Sequence, residues 1–241
     1  MERSRWGNRM LGNGVTKNQV IKDWMKLFPN FSKSRSDDRK RICLQIFNGP
    51  ILKYVYLDFR GDTPYTVTLG ITCLIHETAE DLVITSNRTE QKMHNQQIIT
   101  LNGKFAPYYI CDFEGLMNDC RKKGINFLEP ISVTQVFNLY KYTKNLKKES
   151  TEAPALLAVW AGMKDLTKEA SAWAEEYYEK KYAIDKSRTQ PRKKRRDPTF
   201  EEWREDFRRR LADRDQLQKT FRKMVDVYML DKTLYENILL E

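Results

Sequence analysis

Histidine, cysteine and glycine are scarce in this 241-residue chain, with two, four and ten copies. Each shortage closes off a class of chemistry. Neither His76 nor His94 has a Cys, Asp or Glu at metal-ligand spacing. No nucleophile motif accompanies them, so both read as ordinary surface or loop histidines. Cys43, Cys73, Cys111 and Cys120 form no C-x-x-C pair. Cys43 and Cys73 lie in apolar, strand-like runs, where a free Cys packs as a small hydrophobe. This usage suits a reducing compartment, and a cytoplasmic, intracellular location is expected. The glycines never fall into G-x-x-x-x-G-K-[ST] or G-x-G-x-x-G, so no phosphate cradle is indicated. No cofactor and no bound metal are expected. No stretch approaches the roughly 18 uninterrupted apolar residues of a membrane span. The opening MERSRWGNRMLGNGVTK lacks the apolar centre of a secretory signal.

Charge, by contrast, is plentiful. Charged residues make up 32% of the chain and hydrophobic ones 40%, and the 43 basic and 33 acidic residues leave a net +10. Such a balance draws a protein to polyanions: nucleic acid, an acidic membrane surface or an acidic protein. Eleven Phe, twelve Tyr and five Trp argue against wholesale disorder. The chain is long enough for one large domain or two modest ones.

Residues 1–15, with Arg3, Arg5, Arg9, Gly7, Gly12 and Gly14, read as a basic flexible arm. An α+β domain is expected over 16–150. Val20, Ile21, Trp24, Leu27 and Phe28 mark one face of a helix that Pro29 stops. Strands follow: Ile42–Phe47, the Asn48-Gly49-Pro50 turn, Ile51–Phe59, then the alternating Tyr65–Thr72. Asp81–Ser86, Gln97–Leu101 and Phe105–Ile110 read as three more. Strands joined by short turns without intervening helices mean an antiparallel sheet with flanking helices. Asp58 should lie opposite Leu57 and Phe59, in solvent or against Arg60. A helix over Asp112–Lys123 should close at Gly124, and Ser132 with Gln135 forms a capping box for another.

Residues 151–241 read as a helical domain containing a basic loop at 186–198. After Pro154, the residues Leu156, Val159, Met163, Leu166, Ala170, Trp173 and Tyr177 recur at alternating spacings of three and four. That is an a/d seam, expected in a long helical hairpin or between subunits. Leu156, Met163, Leu166, Trp173 and Tyr177 are therefore the candidate partner interface, and a homo- or hetero-oligomer could use them. Pro191 and Pro198 bracket Arg192, Lys193, Lys194, Arg195 and Arg196, a run that must be an exposed loop. Thr199 and Glu202 then cap a second helix, expected to continue to Tyr228.

From Lys186 to Arg222 there are 14 basic and 7 acidic residues, a difference of +7. Such clustering is the footprint of a phosphate-binding surface. On the helix, Glu205–Arg209, Asp206–Arg210 and Asp215–Lys219 are i,i+4 pairs of the kind solvated helices use. Arg192 to Arg196 have no such neutralisation and are the candidate nucleic-acid-binding residues. No aromatic lies among them, so stacking of unpaired bases is not indicated.

One weaker pattern points to catalysis. Glu90-Gln91-Lys92 is an E-x-K triplet with Asp81 upstream, an arrangement with which nucleases hold Mg²⁺ and orient water. The triplet sits in the polar run SNRTEQKMHN rather than on a strand, and E-x-K arises readily by chance in so charged a chain. The Trp-containing helix, the G-P turn, the aromatic strand and the T-V-T-L-G-I strand, in that order, resemble small bacterial proteins encoded beside immunity or defence genes. The resemblance covers about the first half and carries no residue roles. It implies a subunit of such a system. The expected function is thus a non-enzymatic interaction protein. A metal-dependent nucleic-acid-processing enzyme and an assembly protein using the seam are the alternatives.

Overall fold

The computed structural model describes residues 17–34, 41–59, 66–76, 81–88, 100–101, 104–105, 109–143, 146, 149–187, 198–227 and 235–236. The fold is α+β, with two compact units. One holds residues 1–72, 81–130 and 232–237; the other holds 73–80, 131–231 and 238–241.

The first unit is built on a sheet. Its strands are β1 (Ser32–Lys33), β2 (Arg41–Asn48), β3 (Ile51–Asp58), β4 (Thr66–Cys73) and β5 (Asp81–Arg88), in that order, with β8 (Tyr235–Glu236) also on β2. β1–β2, β2–β3 and β4–β5 are antiparallel. The short β8 departs from the expected pattern by pairing parallel to β2. β1 pairs at Leu44 and Gln45, and β8 at Phe47 and Asn48. Two brief strands thus share the edge of β2 that would otherwise present open backbone groups.

The β2–β3 hairpin turns tightly, with Asn48 opposite Ile51. Gly49 takes φ 55° at the first central position. Proline cannot follow it with positive φ, so the turn belongs to type II′. Arg41 faces Asp58 across the pair, and its Nε lies 3.3 Å from Asp58 Oδ2. Asp58 therefore has a cross-strand partner that a reading of its sequence neighbours misses. Gly70 is required where β4 shifts register: a Cβ there would lie 2.1 Å from Tyr54 Oη and 2.6 Å from the Leu82 carbonyl.

Helix α1 (Lys17–Leu27) buries Val20, Ile21 and Trp24 on the expected face, and Phe28 follows just beyond its end. Trp24, Phe28, Phe31, Phe113 and Phe127 form one aromatic cluster. Phe113 belongs to α2 (Tyr109–Lys122). That helix begins a turn before expected and takes in Tyr109 and Ile110; the strand expected there is only β7 (Lys104–Phe105), paired with β6 (Thr100–Leu101). Gly124, at φ 76°, ends α2 as anticipated. The Ile125 amide reaches the Cys120 carbonyl and the Gly124 amide reaches that of Arg121, the paired bonds of a Schellman motif.

Lys53 lies in β3 and is completely buried. Its ammonium donates to the Phe127 and Glu129 carbonyls at 3.2 and 2.7 Å, with the Phe31 and Phe127 rings nearby. The lysine fastens the segment after α2 to the sheet.

The second unit is mainly helical. Its members are α3 (Val133–Tyr142), a 3₁₀ turn (Glu149–Glu152), α4 (Ala153–Ala161), α5 (Lys164–Ser187), α6 (Phe200–Ala212) and α7 (Arg214–Val227). Both expected capping boxes form, at Ser132/Gln135 and Thr199/Glu202. The two long helices expected here are each divided. Gly162, at φ 76°, closes α4 with a second Schellman motif: Met163 N–H to Ala158 and Gly162 N–H to Val159. Asp213 ends α6 and starts α7, since its carboxylate accepts the Gln216 amide at 2.9 Å.

The seam is divided with them. Leu156 is buried inside this unit. Met163 and Leu166 are half-buried. Trp173 meets Phe137 edge-on at 5.7 Å, and the Tyr177 hydroxyl donates to the Leu146 carbonyl at 3.3 Å. The stripe α5 buries fully is instead Ala170, Ala174 and Tyr178, at spacings of four.

What remains of the expected hairpin is α5 against α6. Tyr178 stacks on Trp203, with Phe200 6.1 Å from Tyr178. Glu175 accepts from Arg204 at 2.9 Å and from Arg208 at 3.0 Å. The earlier residue of α5 meets the later residues of α6, so the two helices run antiparallel. Among the described residues no helix is long and apolar enough to cross a membrane.

Candidate functional site

The second unit gathers charge in its interior around Glu152. This residue ends the 3₁₀ turn, immediately before α4, and is 2% exposed. A bare carboxylate at such depth is costly, and three donors compensate it. Trp203 Nε1 donates to Oε1 at 2.5 Å. His76 Nε2 lies 3.1 Å from Oε2, and Arg210 Nη1 also donates to that oxygen. Burial pushes the Glu152 pKa up, but the bonds from His76 and Arg210 outweigh it and hold the carboxyl below its usual 4.5.

Arg210 is held on both sides. Its Nη1 lies 3.2 Å from His76 Nε2, and its Nε lies 3.0 Å from Asp206 Oδ2. The Nε contact is an ion pair without hydrogen-bond alignment, which leaves that buried N–H unbonded. A single Nε2 cannot both donate to Glu152 and accept from Arg210, so the histidine tautomer selects one contact. Burial lowers the Arg210 pKa and its acidic neighbours raise it further, with a net rise that keeps the guanidinium charged.

A cleft of 530 Å³ opens beside this network. Ile75, Leu156 and Leu217 supply apolar wall; His76, Asp206, Arg209, Arg210, Asp213, Gln216 and Thr220 supply polar groups. Asp206 pairs with both Arg209 and Arg210. Glu152, His76 and Arg210 are 58 to 134 residues apart in sequence. His76 is therefore no ordinary loop histidine, and no local motif announces it. Asp213 with Gln216 did carry a readable signal, that of an N-cap followed by a polar residue at the third helical position.

Asp81 opens β5, while Glu90 and Lys92 lie outside the described residues, as do the arm 1–15 and Arg192 to Arg196. Among the described residues no group of three or more His, Cys, Asp or Glu could hold a metal ion. Cys73 and Cys120 are buried, and burial pushes both thiols up to about 12, far from a reactive thiolate. No protein-family model, curated protein or solved structure matches the chain.

Proposed function

We propose that this is a cytoplasmic interaction protein that binds a polyanion through residues 188–197, with duplex nucleic acid as the leading partner. One contrast in charge carries the reading. The arginines on the shaft of the α5–α6 hairpin are matched by acids: Arg204 and Arg208 by Glu175, Arg209 and Arg210 by Asp206. The connecting residues 188–197 contain six cations and one acid, with Arg192 to Arg196 consecutive. Adjacent cations in such excess repel one another and gain from an anionic partner. Packing of Tyr178 on Phe200 and Trp203 supports the reading further, since it pins the helices that flank this segment.

Phosphate contacts of this kind position a protein without reading bases, so binding should be nearly independent of sequence. An acidic protein surface is the alternative partner. The resemblance of the first half extends the proposal to a subunit of a bacterial immunity or defence system. The test is fluorescence anisotropy with labelled duplex DNA and a labelled acidic peptide. Wild type is compared with a variant in which Arg192, Lys193, Lys194, Arg195 and Arg196 are all Ser. Preferential binding of duplex, lost in the variant, supports the proposal. Equal binding by both proteins removes these residues from the account.

A further inference from the structure

One face of α7 lines the cleft. Asp213 precedes the helix, and Gln216, Leu217 and Thr220 follow it by three, four and seven residues, the spacing of a single helical side. Exposure falls along that side: Asp213 and Gln216 are exposed, Leu217 and Thr220 buried. A hydroxyl at such depth is normally bonded within the protein. Those of Thr143, Thr167 and Ser171 each donate to the carbonyl four residues earlier. The Thr220 hydroxyl has no hydrogen-bond partner among the described residues, although Thr220 is only 6% exposed and lines the cleft. We infer that the cleft binds an uncharged small molecule, an apolar body whose polar groups both donate and accept hydrogen bonds, and that Thr220 bonds to it.

The volume of 530 Å³ falls within the range of about 300–1,000 Å³ that ligand sites occupy. Ile75, Leu156 and Leu217 give it an apolar wall that matches a ring or short hydrocarbon. The formal charges of the lining cancel, Asp206 and Asp213 against Arg209 and Arg210. Asp206 contacts both arginines, and Arg210 also holds Glu152. An ion entering would lose hydration without meeting a large excess of the opposite charge. Hydrogen-bonding capacity of both kinds stays open. Asp213 accepts one amide, from Gln216, out of the roughly four bonds a carboxylate can take. A guanidinium has five N–H groups, and the exposed Arg209 gives one of them, on Nη2, to Asp206. Open donors and acceptors side by side, with no large net charge, fit an amide or a heterocycle that presents N–H beside a carbonyl or ring nitrogen.

The test is a titration of the isotopically labelled full chain, followed by nuclear magnetic resonance, with three probes that share one ring. Indole-3-acetamide is neutral at pH 7, indole-3-acetate is an anion and tryptamine a cation. Indole-3-acetamide should bind tightest, with its largest shifts at Leu217 and Thr220. Thr220→Val removes the hydroxyl at nearly constant shape and should weaken that binding about three- to tenfold. Because the hydroxyl bonds to nothing in the protein, this variant should melt no lower than wild type. Asp213→Asn keeps a side chain that can cap α7 but leaves the lining with one positive charge in excess, and should move the preference toward indole-3-acetate. Tighter binding of either ion by wild type, no shifts with any probe, or equal affinity in Thr220→Val would overturn the inference. So would a lower melting temperature in Thr220→Val or an unchanged preference in Asp213→Asn.

Discussion

Tyr178 and Trp203 stack with ring centroids 3.9 Å apart and planes only 9° from parallel. The pair joins the two helices flanking the basic segment, and Trp203 reaches on to Glu152 through its indole N–H. One aromatic contact therefore ties the α5–α6 hairpin to the charged interior of its unit. Trp203→Ala removes the stack and one donor to a buried carboxylate. It should cost about 3–5 kcal/mol, the usual range for a core aromatic. A urea titration followed by circular dichroism reads this directly, and a loss under 1 kcal/mol would mean the hairpin is held by something else.

Glu152 should make stability depend on acid. Its carboxyl is held below the ordinary value of 4.5 in the folded chain. A depressed pKa contributes stability that is fully present above the unfolded value. That contribution declines as pH falls below about 4.5 and is lost on passing the folded pKa. Melting temperatures from pH 7 to pH 3 should drop more steeply in wild type than in Glu152→Gln across that acid range. The variant should also be weaker at pH 7, because the half-buried Arg210 loses its main counter-charge and keeps only Asp206. Parallel curves for the two proteins would contradict the assignment.

Lys53→Met tests the first unit. The substitution keeps most of the apolar stem but leaves the Phe127 and Glu129 carbonyls without their ammonium donor. A loss of about 1–3 kcal/mol is expected from two unbonded acceptors. Hydrogen exchange should quicken in residues 125–130 before it does in β2 and β3. A neutral or stabilising result would show that water or a neighbouring group replaces the lysine.

Gly70→Ala should destabilise by about 1–3 kcal/mol through overpacking. Its new methyl meets Tyr54 Oη and the Leu82 carbonyl. Adding Tyr54→Phe removes the hydroxyl but leaves the ring carbon Cζ, 2.3 Å from the new methyl, so the double variant should recover little of the loss. Full recovery would mean the backbone of β5 shifts freely.

Much of the fold was legible because its signals are local. Period-two alternation marked β4, the Asn48-Gly49-Pro50 turn marked the β2–β3 hairpin, and both capping boxes formed where Ser132 and Thr199 predicted. The same helix-ending motif occurs at Gly124 and Gly162, yet only the first shows at once in the sequence. At Gly162 the three–four spacing of apolar residues runs straight across the break. Leu156 and Leu166 therefore share a heptad pattern without sharing a helix. Lys53 was hidden for a different reason. Strand alternation assigns faces, and both faces of β3 are covered over most of its length. The Glu152 network could not be read at all, since its members meet only through tertiary packing.

The central claim is most directly tested by the salt dependence of binding to a labelled duplex. Each phosphate neutralised releases counterions, and the slope of log affinity against log salt is about −0.9 per phosphate on B-form DNA. Anisotropy titrations at several salt concentrations should give a slope of several phosphates for wild type. Replacing Arg192, Lys193, Lys194, Arg195 and Arg196 with Ser should weaken binding at each concentration and bring the slope close to zero. Identical affinities and slopes for the two proteins would contradict the account.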